Sequence, residues 1–155
     1  MPGRIDARLA ELGITLPEPA KPLANYVPFT ISARHVFVSG QGGMLNGRPR
    51  WPGKVGLTVG MEDGALSAQL AFINVLAQLR VACGGDLDRV EQVVRLGGFV
   101  ACGADFTQHG IVMNGASDLA VALFGEAGRH ARTTVGVPSL PLDLSVEVEG
   151  LFRIA

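Results

Sequence analysis

Residues 131–154 read ARTTVGVPSLPLDLSVEVEGLFRI, and the alternation in this run decides the fold. From Leu144 onward, Leu144, Val146, Val148, Gly150, Phe152 and Ile154 point one way, while Ser145, Glu147, Glu149 and Arg153 point the other. That period of two marks a strand with one covered face and one polar face. Arg132 to Val137 reads as a second strand, with Arg132 and Thr134 on one side and Thr133, Val135 and Val137 on the other. If the two strands close as a hairpin around Leu140-Pro141, Thr134 opposes Glu147 and Arg132 opposes Glu149. Arg132, Thr134, Glu147 and Glu149 would then gather on one polar face. The apolar face has to be covered by helices.

Working outward, the strongest helical signal runs from Met61 to Ala82, where Leu66, Leu70, Ile73, Leu76, Ala77 and Leu79 form a broad apolar face. Glu62 and Asp63 suit its positive end, and Gly84-Gly85 stops it. A second helix, capped by Asn114 or Ser117, should run to Phe124 and end at Gly125 or Gly128. Between the helices, the valine-rich stretch from Arg89 to Cys102 reads as a long strand with a bend or bulge at Gly97-Gly98. Nearer the N-terminus, Tyr26 to Ile31 and His35 to Ser39 form a hairpin. Gly40 to Gly60 should be a long loop with at most one short strand near Val55 to Val59. Ile5, Leu9 and Leu12 place a short helix over Arg4 to Leu12, after which Pro17, Pro19 and Pro22 hold the chain extended. The order α-β-β-α-β-α-β-β predicts an α+β fold, a single mixed sheet with both main helices on one face. Residues 1–23 form a helical and proline-rich lead-in, and 24–155 a single domain.

The composition narrows the function classes. The chain has 155 residues, 13 basic and 14 acidic side chains, a formal charge of −1 and 48% hydrophobic residues, which excludes a disordered tail. Ser67, Gln69, Asn74 and Gln78 interrupt the apolar stretch from Gly64 to Leu79, so no membrane span is expected. Arg4, Asp6, Arg8 and Glu11 break up any signal-peptide core, and a cytoplasmic location is expected. Cys83 and Cys102 lack CxxC or Cys/His spacing and read as free, buried packing residues with no adjacent base. His35, His109 and His130 share no ligand spacing, so no metal is expected. Residues 19–61 contain no acid and carry Lys21, Arg34, Arg48, Arg50 and Lys54 beside Trp51, which could form a phosphate-binding stripe with a stacking platform. The near-neutral total charge favours a basic loop instead, and nucleic acid is not an expected partner.

Several segments together resemble the Rid/YjgF family, the reactive intermediate or enamine/imine deaminases, whose older labels include translation inhibitor and endoribonuclease L-PSP. They are Tyr26-Val27-Pro28-Phe29, Val36-Phe37-Val38-Ser39-Gly40-Gln41, Gly98-Phe99-Val100, and the run from Ala131-Arg132-Thr133-Thr134-Val135 through Leu140-Pro141 to Val146-Glu147-Val148-Glu149. The resemblance covers about residues 24–154, and the C-terminal block is its most specific part. It implies a chorismate-mutase-like (YjgF) fold assembled as a homotrimer, with a site in each cleft between subunits. It further implies a hydrolase of the 2-iminobutanoate/2-iminopropanoate deaminase type that uses no cofactor. Carried over by position, Arg132 grips the substrate carboxylate and Glu147 holds the attacking water, while Tyr26, Ser39, Asn114 and Thr134 line the cleft. Family members often have cysteine at position 134, so only a hydroxyl contact is available here. Residues 1–23 and the loop from Gly42 to Gly53 are longer than in the commonest archetype, which marks a divergent subgroup.

The chemistry suits these residue types. A guanidinium fork can hold a planar 2-imino acid carboxylate through two parallel hydrogen bonds. A nearby carboxyl can orient water toward the C=N carbon and pass a proton to the departing nitrogen. Two other readings account for the same residues. One is a solvated sheet face carrying a cross-strand ion pair worth less than about 1 kcal/mol. The other is a non-enzymatic trimer that binds a carboxylate metabolite through Arg132 as a sensor or chaperone-like partner.

Overall fold

In the computed structural model, which describes residues 1–155, the last two strands do not pair with each other. The elements in chain order are α1 (Arg4–Glu11), β1 (Phe29–Ser32), β2 (His35–Gly42), β3 (Met44–Leu45), β4 (Arg48–Pro49), α2 (Met61–Ala82), β5 (Val90–Ala101), α3 (His109–Phe124), β6 (Ala131–Val137) and β7 (Val146–Ile154). The main sheet has the order β1-β2-β7-β5-β6, so β5 lies between β6 and β7. β5 pairs antiparallel with β7 and parallel with β6, and α3 is the crossover that a parallel pair requires. After β6 the chain steps across the end of β5 through the short turn Pro141–Asp143, where the Ala101 amide donates to the Ser145 carbonyl at 2.9 Å. The expected hairpin around Leu140-Pro141, and the pairings of Thr134 with Glu147 and Arg132 with Glu149, are therefore corrected. Alternation establishes which side chains share a face of one strand, but not which strand lies beside it.

The faces of β7 follow the expected pattern. Val146, Val148, Phe152 and Ile154 are buried beneath α2 and α3, together with Val93, Leu96 and Val100 of β5. α2 has the expected boundaries and buries Leu76, Ala77 and Leu79 as expected, but Ala68, Phe72 and Val75 share the core and Leu66 is exposed. By length and composition alone α2 could cross a bilayer, contrary to the sequence expectation, yet more than half of its apolar stretch is buried within the fold. α3 begins at His109, five residues before Asn114, so neither Asn114 nor Ser117 is a cap. α2 and α3 cross closely because residue 115 is glycine: a Cβ there would run into the Ala65 carbonyl. The register shifts in β5 lie between Val90 and Arg95, not at Gly97-Gly98. Those two glycines instead leave room for the Glu149 and Met113 side chains.

At the N-terminus, β1 starts at Phe29 rather than Tyr26, and a two-residue link, Ala33-Arg34, joins it to β2. The stretch expected to be one long loop contains a small hairpin, β3 and β4, turned by Asn46 (φ 53°) and Gly47 (φ 78°). Positive φ at both turn residues is the geometry that Asn-Gly favours. Val55 makes only isolated bridges, to Val59 and Cys102. α1 stops at Glu11, one residue short of the expected Leu12, and Gly13 caps it as expected, with the Gly13 and Ile14 amides donating to the Ala10 and Leu9 carbonyls. It buries Ile5 and Leu9 in the common core.

Candidate functional site

Arg132 lies on the edge strand β6, opposite Leu96 of β5, and therefore shares the helix-facing side of the sheet. Its Nη1 donates to Asn114 Oδ1 at 2.8 Å and to Ser117 Oγ at 3.2 Å, both on α3. Ser117 Oγ also lies 2.8 Å from His130 Nε2, and His130 Nδ1 lies 2.6 Å from the Gly128 carbonyl. The carbonyl can only accept, so in neutral His130 the proton sits on Nδ1 and Nε2 accepts from the Ser117 hydroxyl. Ser117 then presents a lone pair to Arg132. This chain orients the guanidinium through neutral oxygens, and Arg132 forms no ion pair with a carboxylate. Glu149, the partner in the ion-pair reading, instead lies 3.5 Å from Arg95. Nη1 is occupied, so the Nε–Nη2 edge remains for a planar anion. Thr134, on the same side of β6, has a buried Oγ1 with no hydrogen-bond partner.

Glu147 projects from the opposite, open face of the sheet, opposite Phe99 of β5 and Gly42 of β2. A bulge makes room for it. Three steps along β2 from Val38 to Gln41 match two along β7 from Gly150 to Val148, which leaves Ser39-Gly40 as the irregular pair. A Cβ at Gly40 would collide with the Glu147 carboxyl. Burial pushes the Glu147 carboxyl above the ordinary glutamate range, and the nearby Glu149 charge adds to the effect. Such a group can hold or release a proton nearer neutrality than a solvated glutamate. Glu147 and Tyr26 line a cavity of about 670 Å³. Ser39 lies in an adjoining hollow that also includes Tyr26 and Glu149, and its hydroxyl donates to the Val27 carbonyl at 2.8 Å.

The six candidate residues thus separate into two groups. Tyr26, Ser39 and Glu147 are together at the open face and its edge, while Arg132, Asn114 and Thr134 are together against α3. Two strand spacings, about 10 Å, and the thickness of the sheet separate Arg132 from Glu147. The single polar face expected from the sequence is therefore not formed within one chain. Sequence reasoning missed Ser117 as a partner of Arg132 and His130 as the partner of Ser117. The signal for Ser117 is its spacing of three residues from Asn114, the expected cleft residue, which puts both on one helix face.

Other candidate groups also have defined surroundings. Cys102 does have an adjacent base, because its Sγ lies 3.5 Å from His109 Nε2, so that expectation is corrected. Both cysteines are free and buried, and burial pushes the Cys83 thiol up. In the basic stretch, Arg34 is paired with Glu91, and the Arg50 guanidinium sits 5.0 Å above one face of the Trp51 ring.

Comparison with known proteins places this geometry among relatives. A family model described as "YjgF/chorismate mutase-like, putative endoribonuclease" matches residues 6–152. Protein TCP17 of Trypanosoma cruzi is 41% identical, with the alignment covering 98% of this chain and 95% of that protein. The crystal structure of Atu1372 from Agrobacterium tumefaciens, a protein of unknown function, is 44% identical and superposes with a TM-score of 0.92 over 98% of this chain and 93% of that one. A Shewanella oneidensis structure bearing the endoribonuclease label is 35% identical, with a TM-score of 0.93 over 97% of this chain and 99% of that one. The near-complete coverage means that these relatives share the lead-in and the loop after β2, as members of a divergent subgroup.

Proposed function

Because the chain belongs to the YjgF/chorismate mutase-like family, we propose that it hydrolyses reactive 2-imino acids and their enamine tautomers to 2-keto acids and ammonia. The site would be a cleft completed by a neighbouring copy in a homotrimer. The observation that carries this reading is Arg132: an exposed guanidinium, held by neutral acceptors and without a carboxylate partner, is prepared to receive one. Glu147 supplies the proton chemistry. In the reaction R–C(=NH)–COO⁻ + H₂O → R–CO–COO⁻ + NH₃, water adds to the imine carbon, and the nitrogen gains protons and leaves as ammonia. A carboxyl with a raised pKa can accept the proton of the attacking water and return it to nitrogen, so neither a metal nor an organic cofactor is needed for proton balance.

The separation of Arg132 from Glu147 supports the intersubunit arrangement. A substrate held by Arg132 reaches a Glu147 carboxyl only if that carboxyl comes from the adjoining subunit. The open sheet face is suited to such contact, since it leaves Phe37 and Val135 exposed beside Glu149 and Arg95. The endoribonuclease label has less support, because Arg34 and Trp51 already have partners within the chain. The test is ammonia and keto-acid release from imines generated in situ by an amino-acid oxidase. Release above the spontaneous rate is expected, while no acceleration across small and large amino-acid precursors would leave the carboxylate-binding alternative in place.

A further inference from the structure

The cavity beside Glu147 is much larger than a three- or four-carbon imino acid requires, and two of its walls are built from the segments that distinguish this subgroup. At about 670 Å³ it falls in the range of about 300–1,000 Å³ occupied by drug-sized ligands. One wall is the lead-in around Pro22 and Leu23, another is Met44 at the start of the small hairpin, and a third is Leu142 with Leu144.

Two buried polar side chains of α2, one turn apart, secure the first two walls. Gln78, 2% exposed, donates to the Ala20 carbonyl at 2.7 Å. Asn74, 8% exposed, donates to the Gly42 and Met44 carbonyls at 2.9 and 3.0 Å. A buried amide left without its carbonyl partner is costly, so these segments are held in place. The third wall is strained: Leu142 and Asp143 both have positive φ, 58° and 60°. Aspartate tolerates this conformation, but leucine rarely adopts it, so the strain falls on Leu142. That strain holds an exposed leucine at the cavity rim.

We propose that this cavity receives the substrate side chain, and that the preferred substrates are 2-imino acids with large apolar side chains, such as those formed from leucine, methionine or phenylalanine. The proposal rests on the imine-hydrolysis reading and adds its side-chain specificity. Charge favours an apolar occupant over an acidic one, since Glu18 and Glu147 line the cavity against the single cation Lys21.

The experiment compares kcat/KM for imines generated from leucine and from alanine, using the full-length protein and its Leu142→Asn and Leu23→Ser variants, with melting temperature measured in parallel. Asparagine tolerates the left-handed conformation at position 142, so Leu142→Asn should melt at or above the parent temperature. In the parent the leucine-to-alanine ratio should exceed one by about tenfold or more, and it should fall about tenfold in Leu142→Asn and by a smaller factor in Leu23→Ser. A parent ratio at or below one, a ratio unchanged in both variants, or a parent preference for the imine of glutamate would overturn the proposal while leaving imine hydrolysis intact. No turnover of either imine would instead remove the reading on which the proposal rests.

Discussion

Arg132 and Glu147 have distinguishable physical tasks, and substitutions can separate them. Arg132→Lys keeps the charge but cannot present the Nε–Nη2 edge, so kcat/KM should fall by about tenfold to a hundredfold while the fold persists. A purely structural role would instead lower the melting temperature and spare turnover. Ser117→Ala leaves the guanidinium in place but removes the link to His130. It should raise KM several-fold with kcat nearly unchanged, and Ser117→Thr, which retains the hydroxyl, should restore KM. Glu147→Gln should slow turnover by about a hundredfold or more, because an amide cannot exchange the required proton. Its effect on stability has the opposite sign. Burial raises the folded-state pKa of Glu147, so between the ordinary glutamate value of 4.5 and that higher value the folded protein binds more protons than the unfolded chain. The parent therefore loses stability as pH rises through this window. Glu147→Gln should melt above the parent at neutral pH, with the difference closing below pH 4.5. A variant that melts lower at neutral pH would mean the carboxylate is stabilising where it sits.

Among the elements, α1 depends on a residue remote in sequence. Asp88 accepts from the Arg4 and Ile5 amides at 2.7 and 2.8 Å, and these bonds hold its carboxyl below the ordinary aspartate range. This contribution is present above that range and is lost as pH falls through it. Asp88→Ala should cost about 1 kcal/mol at neutral pH, the scale of a lost helix cap, with first-turn amide exchange accelerating before the rest of the chain. Uniform exchange rates would show that packing of Ile5 and Leu9 alone holds the helix. Both ends of α2 were legible in the sequence, because glycines bracket an uninterrupted helical run, and so were the faces of β7, because its alternation is unbroken. The start of α3 was not. Gln108 makes no side-chain cap, whereas Asn114 and Ser117 resemble caps but bind Arg132 instead. The neighbours of β6 were also illegible, because a short link between two strands resembles a hairpin until β5 is known to lie between them. Two of the six candidate residues were consequently placed on the same face as Glu147 when they belong to the other.

For the whole molecule, the proposed site, divided between two sides of one sheet, requires an assembly, and light scattering at micromolar concentration should report three copies. A monomer would leave Arg132 and Glu147 without a common substrate. Complementation between inactive variants tests this most directly. When Arg132→Lys and Glu147→Gln proteins are unfolded together and refolded as an equal mixture, each cleft draws its arginine from one copy and its glutamate from the next. About a quarter of the clefts then contain both native residues, and imine hydrolysis should rise to about a quarter of the parent rate, above the tenth or less and the hundredth or less that the two preparations show separately. If both residues serve one site within a single chain, no cleft regains the pair. An equal mixture as inactive as its components, alongside an active parent refolded in the same way, would contradict the account.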